Sequence, residues 1–267
     1  MAVVRGTDLG LDLEAMRLEM DSDRGVARLT LDRPGKLNVV SMLQRDHLAR
    51  AFETLERDGR ARIVVISGAG EVFTSGGDIA GFMRSSAGPL SRLHHNVGAP
   101  ERFPGPVIAA IDGFCFGVGM ELSLACDFRI ATNRSQFAFP EIRLGMLPGS
   151  GGTQRLARLV GLTRAKDMIL RTRRLAADEA LNWGIVTAIV EPAQIDSAVE
   201  SLVTELLEQP RLALETAKRV LNLSQEAPLS AGLQLEGYAY GMLRGTADFA
   251  EGVQAFTEKR KPKFERG

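Results

Sequence analysis

The sequence has little cysteine, no surplus of charge and no long apolar run, and each shortage removes a class of function. Cysteine occurs twice in 267 residues, at Cys115 and Cys126, with no CxxC spacing and no histidine-rich neighbours. A disulfide framework or thiolate metal site is not indicated, and both are expected to be small buried core residues in a reducing compartment. Lys plus Arg and Asp plus Glu number 33 each, for a formal net charge of +0. That balance supplies no long-range field to draw in nucleic acid or an acidic membrane. No window reaches the roughly 18 to 20 apolar residues that span a bilayer. Met1 to Asp23 alternates charges with apolar residues and lacks the apolar core of a secretory signal, so the reading is cytoplasmic. No Walker pattern is present, and Gly117-x-Gly119 lacks the third glycine of a dinucleotide fingerprint. No ligand cluster is visible either, so neither a metal nor a separate cofactor is expected.

What is present alternates strand-like with helix-like patterns. Val26 to Leu31 alternates as a half-buried strand does, and Ile63 to Ser67, Val107 to Ile111, Phe128 to Ala131 and Ile185 to Val190 add further strand-like runs. Ser41 with Gln44 forms a capping box. Beyond it Leu43, His47, Leu48, Ala51, Phe52 and Leu55 recur at helical spacing. From about Ala193 the character changes to four helical stretches: Ile195 to Leu207, Leu212 to Leu223, Leu229 to Leu243 and Asp248 to Lys259. The expectation is an α/β core over 1–195 and a closely packed helical region over 196–267.

Two stretches use glycine where backbone approaches a ligand. Phe73-Thr74-Ser75-Gly76-Gly77-Asp78-Ile79 follows the Ile63 strand and its turn. Gly113 to Glu121, with Gly117, Val118 and Gly119, follows the Val107 strand and leads into a helix-like run. Each places free N–H groups near a helix start, and two such donors converging would form an oxyanion hole. Taken singly, either loop reads first as a turn. Glu141, in Phe139-Pro140-Glu141-Ile142-Arg143, has two readings as well. It is a loop charge paired with Arg143 or Arg155, or an acid whose pKa is raised in a dry pocket.

Joined, these loops resemble the crotonase (enoyl-CoA hydratase/isomerase) superfamily over nearly the whole chain. The matching blocks are LDRPGKLNVVS, FTSGGDI, PVIAAIDGFCFGVGMELSLACDFRIAT, FAFPEIRLGMLPGSGGTQRLARLVG and EGVQAFTEKRKPKF. The resemblance implies a spiral core of repeated ββα units with C-terminal helices that build a homohexamer from two trimers. It implies an enoyl-CoA hydratase with Glu121 and Glu141 as the catalytic pair, Glu121 activating water and Glu141 supplying the α-proton. The N–H groups of Gly77 and Val118 are then the oxyanion hole. Relatives doing isomerisation or ring chemistry commonly lack one of the two glutamates, so retention of both favours water addition.

The same resemblance places an acyl-CoA along Lys36, Leu37, Ser75, Gly76, Asp78, Ile79, Phe82 and Gly117, with Lys259 and Lys263 toward the CoA phosphates. Two departures stand out. Val118 replaces the usual glycine, and its β-branched side chain narrows the local space; Ala80 replaces a lysine that many relatives use to hold the nucleotide. Gly81 to Gly98 is the least family-like segment and is expected to cover the acyl pocket, with Phe82 and Met83 lining it and His94 and His95 at the rim. The acyl group is expected to be short. Methylthioacryloyl-CoA is one candidate, linked to dimethylsulfoniopropionate degradation and yielding methanethiol and acetaldehyde. Thioester hydrolysis on the same fold and an RNA-binding role remain the alternatives.

Overall fold

The computed structural model describes residues 3–264, so the outermost residues of both expected regions lie outside the described residues. The chain begins with three strands, β1 (Val3–Arg5), β2 (Met16–Asp21) and β3 (Val26–Leu31), paired antiparallel in sequence order. Helix α1 (Met42–Asp58) follows. Ser41 Oγ accepts from the Gln44 N–H at 3.1 Å while the Gln44 side chain accepts from the Ser41 N–H at 2.8 Å. This reciprocal cap satisfies two backbone donors and sets where the helix starts. A left-handed Gly59 ends it.

Strand β4 (Ile63–Gly68) pairs parallel to β3. A run of short helices then fills the segment expected over the acyl pocket: α2 (Ile79–Phe82), α3 (Ala87–Ser91), α4 (Leu93–Val97) and α5 (Ala99–Arg102). Next come β5 (Val107–Ile111), β6 (Phe114–Phe116), α6 (Val118–Leu124), β7 (Phe128–Thr132) and β8 (Gln136–Ala138). Helices α7 (Gly152–Val160) and α8 (Leu162–Leu170), strand β9 (Leu175–Ala176), helix α9 (Ala177–Asn182) and strand β10 (Ala188–Val190) complete the α/β part. The chain ends in α10 (Ile195–Leu207), α11 (Arg211–Leu223), α12 (Leu229–Leu243) and α13 (Ala247–Glu258).

The described strands form a seven-stranded sheet in the order β1-β2-β3-β4-β5-β7-β10 and a three-stranded sheet in the order β6-β8-β9. From β3 onward the large sheet is parallel. Its strands are apolar on both faces, as parallel strands covered on both sides must be. Val64, Ile66, Val107, Ala109 and Ile111 face the main core beneath α1 and α6, whereas Ile63, Val65, Ile108 and Ala110 face the other way. Helix α10 covers that second face with Val199, Val203 and Leu206. The helix that opens the C-terminal region thus belongs to the packing of the sheet itself.

Three expectations shift. The strand expected over Ile185 to Val190 begins only at Ala188, because Ile185 and Val186 are drawn into the core as connecting chain. The loop expected at Gly113 to Glu121 contains strand β6 and starts its helix at Val118. Leu43, assigned to the apolar face of α1, is 47% exposed, while Arg45 is 2% exposed. Both cysteines are buried, and burial pushes each thiol up to about 12. Among the described residues no helix is long and apolar enough to cross a membrane.

Candidate active site

The two glycine stretches lie side by side. Phe73 N–H donates to Asp112 O at 2.6 Å, Thr74 N–H to Phe114 O at 2.8 Å, and Phe116 N–H to Thr74 O at 3.1 Å. On its other edge the first stretch is tied to the chain before α1. There Ser75 N–H donates to Leu37 O, Val40 N–H to Gly76 O and Asp78 N–H to Val40 O, all within 2.9 to 3.0 Å. Among the described residues no acceptor takes the N–H of Gly77 or Val118. Val118 opens α6, so its donor is one that a helix leaves unpaired at its positive end. The Val118 side chain is 4% exposed and packs in the main core. The narrowing expected from it therefore falls on the core side.

Gly117 has no freedom to be anything else. Its φ is +53°, and a Cβ there would stand 2.7 Å from Glu141 Oε1. This contact joins the second glycine stretch to the second glutamate. Strand β8 pairs with β6, and Glu141 follows it at the head of a 3-10 turn, Glu141–Leu144.

Glu121 projects from the first turn of α6 and is 2% exposed. Its Oε1 accepts from the Ser150 N–H at 2.5 Å and the Gly152 N–H at 3.0 Å. A further glycine-rich loop, Gly145 to Thr153, thus anchors one oxygen of Glu121. Burial pushes the Glu121 carboxyl above its ordinary range, against the pull of those two N–H groups and of Arg45. Glu141 Oε2 is buried with no hydrogen-bond partner. Burial, with a smaller push from the Glu121 charge, raises Glu141 to about 7. Neither arginine offered as a partner reaches it. Arg143 donates to Thr172 Oγ1 at 2.7 Å, and Arg155 pairs with Glu101 at 2.5 Å. Of the two readings of Glu141, the acid in a dry pocket is the one the geometry matches.

Residues expected along the CoA are gathered at the same edge in part. Ser75, Gly76 and Asp78 belong to the tied stretch, and Leu37 is bonded to it through Ser75. Leu37 takes a left-handed backbone after the 3-10 turn Pro34–Lys36, and it and Lys36 are exposed. Ile79 is 52% exposed at the start of α2, where Asp78 caps the helix. The Phe82 ring lies against Gly77 and stacks under Arg45 at 4.6 Å. Met83, expected beside it, is 84% exposed, and His94 and His95 are exposed. Lys259 ends α13 and the Lys263 N–H donates to Glu251. Among the described residues no contact of either lysine reaches the glycine stretches.

Three contributors escaped the sequence. Asn38, 1% exposed, donates to the carbonyls of Ala69 and Val72 and accepts from the Arg33 N–H, knotting three turns together. The Ser150 and Gly152 amides hold Glu121. Arg45 brings a buried cation to the two carboxylates. No group of three or more His, Cys, Asp or Glu among the described residues is placed to hold a metal ion.

A family model described as enoyl-CoA hydratase/isomerase matches residues 21–267. The chain belongs to the enoyl-CoA hydratase/isomerase family. A probable mitochondrial enoyl-CoA hydratase 2 of Arabidopsis thaliana is 36% identical over 250 residues, 91% of this chain and 82% of that protein. A short-chain-enoyl-CoA hydratase of Clostridium acetobutylicum is 33% identical over 254 residues, 93% and 97% of the two chains. Among solved structures, an enoyl-CoA hydratase subunit of Geobacillus kaustophilus superposes with a TM-score of 0.90 at 33% identity, covering 96% of this chain and all of that one. The crotonase fold, an α/β core with C-terminal helices, is therefore the fold of this family member.

Proposed function

We propose that this protein is a hydro-lyase that adds water across the 2,3 double bond of a short enoyl-CoA. The observation that carries the reading is the contrast between the two carboxyls. One is held by two backbone N–H groups, and the other is buried, partnerless at Oε2 and raised to about 7. Glu121, the ionised partner, orients a water and takes its proton as the oxygen attacks Cβ. The π electrons move toward the thioester oxygen, which the N–H groups of Gly77 and Val118 hold as enolate character grows. Glu141, kept partly protonated at neutrality by its raised value, delivers its proton to Cα. A proton then passes from Glu121 to Glu141 through the next water, which resets the pair.

The acyl group is proposed to be short, and methylthioacryloyl-CoA is the finer proposal. The Phe82 ring, which packs against Gly77, supports a compact acyl group there. Assembly into a homohexamer is supported by the apolar residues left open on the last helices: Leu229 at 77%, Tyr238 at 77% and Phe256 at 87% exposure. Such an assembly offers Lys259 and Lys263 a route to a neighbour's CoA. A cytoplasmic location completes the reading.

The test is a substrate panel of crotonyl-CoA, methylthioacryloyl-CoA and longer enoyl-CoAs, with enoyl absorbance and free thiol followed together. Loss of absorbance without CoA release supports hydration. Thiol release from saturated acyl-CoAs, with no hydration of any enoyl-CoA, would overturn it in favour of a thioester hydrolase.

A further inference from the structure

Arg45 is a poorly satisfied cation that the described residues place beside the site. It is 2% exposed, on the second turn of α1, and its Nε is buried without a hydrogen-bond partner. Its one hydrogen bond goes to the Met42 thioether, a weak acceptor. Among the described residues it makes no ion pair. Nη2 stands 2.8 Å from where a Cβ on Gly77 would be, and the guanidinium lies on the face of Phe82. The cation therefore occupies space that exists only because Gly77 has no side chain. It also sits next to the stretch whose neighbour Gly76 approaches Gly117 and, through it, the Glu141 carboxyl.

A guanidinium taken out of water without a direct carboxylate partner is destabilising, so its presence has to be accounted for by the site it faces. The charged groups acting on it are Glu121 from α6, Glu141 from the 3-10 turn, Asp46 from its own helix and Asp78 from the cap of α2. The two acidic side chains of the site are Glu121 and Glu141. With both ionised, this pocket would carry one positive and two negative charges. With both protonated, the cation would be opposed only by the exposed Asp46 and the half-buried Asp78. Neutrality in a low-dielectric pocket is reached when one glutamate is ionised and one protonated.

We propose that Arg45 is a positioning residue that fixes the site in its one-acid, one-base state, with Glu121 ionised and Glu141 protonated. It acts through its charge and touches neither the water nor the acyl group. Burial raises both carboxyls, and Arg45 opposes that rise in each. Without it, Glu121 protonates at higher pH and the base is lost. With it, Glu141 still retains its proton, because burial and the Glu121 charge act against ionisation there. The pair titrates as a unit, so both limbs of the pH profile belong to it. The inference rests on the two-glutamate hydratase reading.

The experiment compares wild type, Arg45→Met and Arg45→Lys in the full-length protein. One measurement is the pH dependence of kcat and kcat/KM for enoyl-CoA hydration. The other is a 13C NMR titration of the glutamate carboxyl carbons, assigned by difference with Glu121→Gln and Glu141→Gln. In Arg45→Met both limbs should move up by about one pH unit or more, with the loss in kcat rather than in KM. Arg45→Lys should restore most of the shift. Limbs and carboxyl titrations unmoved in Arg45→Met overturn the proposal, as does a rise in KM alone, which would make Arg45 an acyl-binding group. If Arg45→Met fails to fold, Glu121→Gln tests the same balance. Glu141 then faces Arg45 alone and should titrate at lower pH than in wild type; an unchanged value overturns the proposal. The NMR titration needs no turnover, so absence of hydratase activity in wild type would reject the reaction reading while leaving the charge balance measurable.

Discussion

Among the described residues three lysine or arginine cations are buried, and they are treated in opposite ways. Behind the sheet, Lys218 of α11 is 8% exposed; its Nζ donates to the carbonyls of Pro100 and Gly105 at 2.9 Å each and pairs with Asp127 at 2.7 Å. Nearby Arg129, 6% exposed, donates to the carbonyls of Ile185, Ser123 and Cys126. At the glycine stretches, Arg45 has a thioether and an aromatic face, and Glu141 Oε2 has nothing. Where a charge only staples elements together, the fold surrounds it with acceptors. At the candidate site, the buried charges are left short of hydrogen-bonding partners.

The comparison can be broken by mutation. Glu121→Gln or Glu141→Gln should each lower kcat by about a hundred-fold to ten-thousand-fold while the circular dichroism spectrum stays unchanged. Near-normal turnover in either variant would remove the site from the open side of the comparison. Lys218→Met should do the reverse. It leaves Asp127 with the Val107 N–H but no cation and strands two carbonyls, so urea unfolding should show a loss of about 3 kcal/mol, with turnover per folded molecule preserved. Equal losses of activity and stability in Lys218→Met would show that the two regions are not separable.

A third outcome follows from the raised Glu141 carboxyl. Its value in the folded protein, about 7 against an ordinary 4.5, means that the folded state binds the proton more tightly than the unfolded one. The stability tied to that proton is complete below pH 4.5 and is lost as pH rises through 7. Glu141→Gln, which never ionises, should therefore melt higher than wild type at pH 8 and little differently at pH 4. A gain that is the same at both values would mean that packing, not ionisation, sets the cost. The smallest effect belongs to the cap of α1. Ser41→Ala should cost about 1 kcal/mol in thermal unfolding. It should also disturb Arg45 more than Lys218, since only the former rides on that helix.

How much of this was written plainly in the chain depends on the period of each element. The C-terminal helices repeat their apolar residues over three or four turns, and α10 and α12 run over the residues that periodicity assigns. The Ser41–Gln44 cap could be read from two letters. Strand β6 could not, because three residues between glycines carry no period. Strand β2 alternates buried and exposed residues faithfully, yet beside acidic residues and turn-forming loops it read only as mixed charge. At the site, Glu121 and Glu141 were legible through the blocks around them. Arg45 was not. A lone arginine between Gln44 and Asp46 reads as solvated surface, and only Gly77, more than thirty positions away, makes room for it. Met83 shows the converse, since a large apolar residue in the right segment turned outward.

The ties on the stretch from Thr74 to Asp78 have a consequence for how this family member can change. Backbone bonds hold it on one edge to Phe114 and Phe116 and on the other to Leu37 and Val40, so the spacing between the Gly77 and Val118 donors is set by main chain alone. Side chains beyond Thr74 and these glycines can be exchanged without altering that spacing. The helices from α2 to α4 begin directly after the last tie. Selection can therefore redraw the segment that follows while the two donors keep their separation.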